Sequence, residues 1–120
     1  IAPLLGILRQ LNLEKDPRPT VLAYGNRAEN KITYRDELET LTRDHGTKVV
    51  HVLSEPPTGW TGRTGILDAQ LIAELFQSPD MKDWLYLLCG PVEMMTVAEN
   101  ELIALGVPSD QILSERFNYD

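Results

Sequence analysis

The chain has 120 residues, 42% hydrophobic and 24% charged, which suits one globular domain with a continuous core and excludes a disordered segment. Its 18 Asp plus Glu against 11 scattered Lys plus Arg leave a net charge of -7, so a nucleic-acid surface built on clustered positive charge is excluded. The single cysteine, Cys89, excludes an internal disulfide and leans towards a reducing compartment; with only His45 and His51 beside it no zinc site is expected, and no apolar stretch nears the roughly 20 residues of a membrane span.

Leu4, Leu5, Ile7, Leu8 and Leu11 recur at helical spacing behind Pro3 and predict a first helix. Asp16-Pro17-Arg18-Pro19 breaks the chain, and residues 21–24 read as a buried strand closed by Gly25-Asn26. Thr33, with Asp36 three residues on, predicts the cap of a second helix whose apolar stripe is Tyr34, Leu38 and Leu41 and whose end is Gly46. Residues 49–53 are short and β-branched, as in a strand. Residues 54–65, rich in Pro and Gly, form the longest irregular segment, of the kind that often carries function. Ile66, Leu67, Leu71, Leu75 and Phe76 predict a third helix, and residues 84–88 a buried strand. That strand runs through Cys89 into Gly90-Pro91, with Pro91 suited to the first position of a helix over 92–105. The helix has an inward stripe of Val92, Met95, Ala98, Leu102 and Leu105, and a last strand follows over 112–117. Strict alternation of helix and strand implies a parallel sheet covered by helices on both faces, and such sheets bind ligands beyond the carboxyl ends of their strands.

Taken together the turns resemble the pyridine-nucleotide-binding domain of the ferredoxin–NADP reductase family, which includes flavin-dependent oxygenase reductases and ferric reductases. Ile1-Ala2-Pro3 is similar to the end of that family's glycine-rich turn, Tyr24-Gly25-Asn26-Arg27 to the turn after its second strand, and Trp60-x-Gly62-x-x-Gly65 to the loop after its third. Cys89-Gly90-Pro91 is similar to its nicotinamide turn and Ser114-Glu115-Arg116-Phe117 to its C-terminal strand. The resemblance covers essentially the whole chain. It implies a three-layer αβα, Rossmann-like parallel sheet in the order 3-2-1-4-5, with the first strand expected upstream of Ile1, so that residues 1–120 are the NAD(P)-binding domain of a larger flavoprotein. The opening inside an apolar sequence, without Met and without a signal-peptide pattern, fits a piece of something longer. The implied flavin-binding barrel is outside this chain, as is its FAD.

The resemblance also implies roles for individual residues. Cys89 would sit beside the nicotinamide where hydride leaves for the flavin N5; the alternative is a buried structural cysteine. Glu115 would help position the nicotinamide or relay a proton, and Phe117 would be the aromatic ring that stacks on the flavin, with Tyr119 as a competitor and plain core packing as the alternative. Gly25, Asn26 and Arg27 would line the cleft near the cofactor phosphates, although Arg27 can equally be a solvated turn residue. Ala2 and Pro3 would close the pyrophosphate turn at the start of the first helix. Gly90 and Pro91 would shape the nicotinamide turn, and Met94 would face the cofactor. Ser54 and Glu55 occupy the position at which NADPH-preferring members commonly carry Ser-Arg. A carboxylate there repels a 2′-phosphate and accepts hydrogen bonds from ribose hydroxyls, so NADH is favoured, with Arg63 as the residue that could reach a phosphate instead. Trp60 reads as a loop anchor or as part of the adenine pocket.

The function so implied is an NAD(P)H-dependent reductase part that presents nicotinamide to FAD on an adjoining domain for delivery onward to a haem, an iron–sulfur protein or a ferric chelate. Its place would be the cytoplasm or the cytoplasmic face of a membrane reductase, without membrane contact by this domain. Two other readings are a non-catalytic nucleotide-sensing module and a flavodoxin-like receiver domain. The second would want an acidic cluster after its first strand and an Asp ending its third, where this chain has Leu53 and Cys89 at its later strand ends.

Overall fold

The computed structural model describes the backbone of residues 2–116 and the side chains of residues 3–114. The elements run α1 (Ala2–Leu13), β1 (Val21–Asn26), α2 (Arg35–His45), β2 (Lys48–Leu53), β3 (Arg63–Thr64), α3 (Ala69–Phe76), β4 (Tyr86–Gly90), α4 (Val92–Ala104) and β5 (Ile112–Arg116). They divide into two compact units, Ile1–Ile66 and Leu67–Asp120.

The first unit holds a parallel sheet in the order β1-β2-β3, with β1 and β2 in register from Val21 opposite Lys48 to Asn26 opposite Leu53. Alternation along these strands puts Leu22 and Tyr24 on the same face as Val49 and His51, and Leu22 lies with Leu5 and Leu8 of α1 and Leu38 and Leu41 of α2 in one buried cluster. Arg9 of α1 is paired with Glu37 of α2 and lies 6.0 Å from the Tyr34 ring. Gly46 ends α2 in the left-handed conformation (φ 79°), where a side chain would be strained.

The second unit holds β4 and β5, paired in parallel from Tyr86 opposite Ile112 to Gly90 opposite Arg116. Tyr86 and Ile112 face a cluster of Ile72, Ala98, Leu102 and Val107, joined by Phe76, Trp84, Leu88 and Leu105. The Phe76 and Tyr86 rings meet edge to face at 5.5 Å, and the Tyr86 hydroxyl donates to the Met81 carbonyl at 2.6 Å. All the strand pairs among the described residues are parallel: β2 lies between β1 and β3, and β5 lies beside β4. The expected first strand belongs before Ile1, outside the described residues.

Several local expectations need correction. Thr33 does not cap α2: Tyr34 holds that position in a left-handed conformation (φ 62°), and it is exposed rather than part of the apolar stripe. A 3-10 turn over Glu29–Lys31 and the hydrogen bond from the Thr33 amide to the Tyr24 hydroxyl set the chain direction there instead. Ile66 and Leu67 are not helical: Asp68 caps α3 by accepting from the Leu71 amide at 2.9 Å, and Ile66 is 65% exposed. The strand predicted over 84–88 is shifted to Tyr86–Gly90, with Leu85 59% exposed outside it. Pro91 is one position earlier than expected, as the residue before α4 whose carbonyl accepts the Met95 amide at 3.1 Å. Within the segment expected to be irregular, Arg63–Thr64 forms β3.

Candidate functional site

Within each unit, several of the residues singled out from the sequence lie at the carboxyl ends of strands: Gly25 and Asn26 at the end of β1 with Arg27 after it, and Ser54 and Glu55 after β2, in the first; Cys89 and Gly90 at the end of β4 in the second. In the first unit the β1–β2 ladder continues past the strands: the Ser54 amide donates to the Asn26 carbonyl at 3.1 Å and the Glu55 amide to the Arg27 carbonyl at 2.7 Å. This continuation holds the loop after β1 beside the loop after β2, and it brings the Arg27 guanidinium to 3.6 Å from the Glu55 carboxylate. Both side chains are about two-thirds exposed (68% and 69%), so the pair is solvent-screened and contributes little to stability. Its consequence is positional: the cation expected to attract cofactor phosphate and the carboxylate expected to repel it lie side by side.

Beside this pair an open cleft of about 430 Å³ is lined by Ala28, Glu29, Asn30, Arg35, Glu55 and Pro57. Arg35, at the start of α2, donates from Nη1 to Glu29 at 2.8 Å, and its Nε is 3.7 Å from Glu39 one helical turn on. Two of the six lining residues, Glu29 and Glu55, are carboxylates, which can accept hydrogen bonds from a ribose diol. Glu29, Asn30 and Arg35 were not expected from the sequence; the signal available was the place of Glu29 and Asn30 in the segment after β1, and of Arg35 at the start of α2 that follows it, since such sheets bind ligands beyond their strand ends. His51 of β2 is held below the usual histidine range, mainly by burial and then by the Arg35 charge, against an opposing pull from Glu39. Its Nδ1 and the Asn26 Nδ2 are buried without a protein partner.

Trp60 is a loop anchor. Its indole N–H donates to the Arg63 carbonyl at 3.0 Å, and its ring lies so close over Gly62 that a Cβ there would fall 2.7 Å from it. The glycine is therefore required by close packing, and the same contacts hold Arg63 in β3, opposite Val52.

In the second unit Cys89 is the penultimate residue of β4, half-buried and free, opposite Glu115 of β5. Alternation places Cys89 on the strand face away from Tyr86 and Leu88, hence away from the cluster packed on α3 and α4. Gly90 has φ 151°, and a Cβ built on it would lie 2.4 Å from Cε of Met94, so the Met94 side chain folds back over the glycine. Pro91 is exposed at the turn. Ala2 and Pro3 form the first turn of α1. Phe117 and Tyr119 lie outside the described residues, and Glu115 is placed by its backbone register alone.

Parallel strands ending in polar loops, with helices packed behind them, define the class of α/β domain that takes its ligand beyond the strand ends. The chain belongs to the oxidoreductase NAD-binding domain family, which it matches over residues 1–100, in keeping with the reductase resemblance of its turns. It is 37% identical over 109 residues to NADH-cytochrome b5 reductase 1 of Lodderomyces elongisporus, an alignment covering 88% of this chain and 36% of that protein. It is 33% identical over 119 residues to nitrate reductase (NADPH) of Fusarium oxysporum, covering 94% of this chain and 13% of that one. Among solved structures, the CS-b5R domains of human Ncb5or in the NAD+ form superpose with a TM-score of 0.80 at 31% identity, covering 93% of this chain and 32% of that one. The chain thus spans little more than a third, or less, of the length of these proteins. The two relatives' names carry NADH and NADPH respectively, so kinship leaves the coenzyme to be argued from the residues. No described helix is long and apolar enough to cross a membrane.

Proposed function

We propose that this chain is the coenzyme-binding domain of an NADH-dependent flavoprotein reductase, joined in its full length to an upstream strand and a FAD-binding barrel. The observation that carries the reading is the turn after β4: a family-matched parallel strand ends in Cys89 and a positive-φ Gly90, over which, among the described residues, only the flexible side chain of Met94 lies. When bound, the nicotinamide supplies a hydride and the flavin of the adjoining domain accepts it.

The chain's own residues position and shield. Gly90 adds no side chain of its own at the turn, so a ring can approach the backbone once the flexible Met94 side chain swings aside, and Pro91 directs the chain into α4. Cys89 presents a small, soft surface on the strand face that α3 and α4 leave uncovered. Glu115, opposite it in register, orients the nicotinamide, and Phe117 covers the flavin. Met94 packs at the turn, and Ala2 and Pro3 open the helix that receives the pyrophosphate. Gly25, Asn26 and Arg27 line the phosphate side of the first unit, and Ser54 and Glu55 receive the adenosine ribose. Arg63 is the residue left to favour NADPH. The full-length protein would serve a haem, an iron–sulfur protein or a ferric chelate as acceptor, in the cytoplasm or at the cytoplasmic face of a membrane reductase.

The test is calorimetric titration of the full-length protein with NADH, NADPH, AMP and 2′-phospho-AMP, paired with rapid-mixing measurement of flavin reduction in wild type and Cys89→Ala. AMP binding at least as tightly as 2′-phospho-AMP is expected. The variant should slow flavin reduction roughly tenfold to a hundredfold with little change in NADH affinity, because a misplaced ring loses near-attack geometry. A folded protein that binds no nucleotide refutes the reading, and nucleotide binding without flavin reduction turns it into a sensing module.

A further inference from the structure

We propose that Glu29 and Arg35 form a second coenzyme-discriminating element, in which Glu29 holds the cleft's guanidinium away from a 2′-phosphate. This rests on the nucleotide-binding reading and deepens it. Of the residues lining the cleft, three are charged: Glu29, Glu55 and Arg35. Arg35 is engaged on two sides, by Glu29 at 2.8 Å and by Glu39 at 3.7 Å, while Arg27 is engaged by Glu55 at 3.6 Å. Three carboxylates against two guanidiniums leave this group of five with a net charge of -1.

A ribose diol meets such a cleft favourably, since it donates to carboxylate oxygens without disturbing either pair. A 2′-phosphate brings up to two negative charges and no donor at neutral pH. To give the phosphate a fork unshared with a carboxylate, Arg35 must loosen its hold on Glu29, and Glu29 would in either case face the phosphate as a like charge. Arg35 is chemically the better phosphate ligand of the two partners, because its planar fork can hold two phosphate oxygens at once. The preference is therefore set by which anion holds Arg35. Both residues are partly exposed (37% and 40%), so the pair can be opened without dismantling a core.

Glu29→Gln keeps the shape and removes the charge. In the full-length protein, 2′-phospho-AMP affinity relative to AMP should rise about tenfold, a change of about 1.4 kcal/mol. The rise should shrink as salt is added. Adding Arg35→Gln to Glu29→Gln should abolish the gain. Asp44→Asn, the same charge change on the exposed far end of α2, should leave the ratio within about twofold. The proposal is overturned if Glu29→Gln leaves the ratio at the wild-type value, if Asp44→Asn shifts it equally, or if the gain survives loss of Arg35. Should one variant fail to fold, Glu29→Ala with the same Arg35 partner substitution reads the same ratio. Wild-type protein that binds neither adenylate refutes the nucleotide-binding reading itself, and this proposal with it. Wild-type binding of AMP with an unresponsive ratio overturns only the role of Glu29.

Discussion

Replacing Gly90 with alanine separates two constraints on the turn after β4. The first is backbone: φ is 151°, a region L-residues rarely adopt, and forcing alanine there costs about 1–3 kcal/mol. The second is steric: the new Cβ would lie 2.4 Å from Met94 Cε, about 1.1 Å inside the ~3.5 Å at which carbon atoms rest in contact. Methionine has three rotatable side-chain bonds, so Met94 can swing aside for about 1 kcal/mol of rotamer strain and lost contact. We expect Gly90→Ala to destabilise by about 2–4 kcal/mol, which lowers the melting temperature by roughly 10 °C for a chain of this size. Introducing the same change into a Met94→Ala background should remove the steric part alone, giving a coupling of about 1 kcal/mol. Urea denaturation of the four proteins measures the cycle, and titration with NADH reports whether the added methyl weakens coenzyme binding at the turn. A Gly90→Ala protein as stable as wild type refutes the backbone argument. So does a cost that vanishes wholly once Met94 is truncated, because strain at φ 151° does not depend on its neighbour.

Other consequences are checked more simply. Leu102 is 1% exposed inside the cluster of the second unit, so Leu102→Ala should cost about 3 kcal/mol by denaturant midpoint, against about 0.5 kcal/mol for Ile103→Ala on the outer face of the same helix. His51 is held below its ordinary 6.5, so the unfolded chain takes up its proton first as pH falls. Its contribution is fully present above pH 6.5 and is lost as pH drops through 6.5 and through the lower folded value; His51→Gln should flatten that part of the stability–pH curve, read as denaturation midpoints from pH 8 to pH 5.

Much of the architecture was legible from apolar spacing because it is set locally. The stripe of α4 through Met95, Ala98 and Leu102, the Gly46 stop of α2 and the strand bodies of β1, β2 and β5 each follow from residues within one or two turns of one another. Where the local signal misled, a contact from another segment had won. Thr33 and Asp36 spell a cap, yet the Tyr24 hydroxyl takes the Thr33 amide and Tyr34 turns left-handed. Ile66 and Leu67 match the helical period, yet Asp68 caps the helix after them.

The sequence by itself determined the order of elements, the parallel class of the sheet and the two strand ends at which chemistry was to be sought, because period, turn chemistry and motif order are written along the chain. It also supplied Glu55 and Arg27 as separate candidates of opposite charge. Only tertiary structure decided that they face each other, since they are 28 positions apart in sequence and parallel register brings their loops together. The same register leaves Glu29, Arg35 and Glu55 around one cleft, made Trp60 an anchor over Gly62 and drew Arg63–Thr64 into the sheet. Charge neutralisation within a cleft depends on distances between groups remote in sequence, and those distances exist only once the strands have paired.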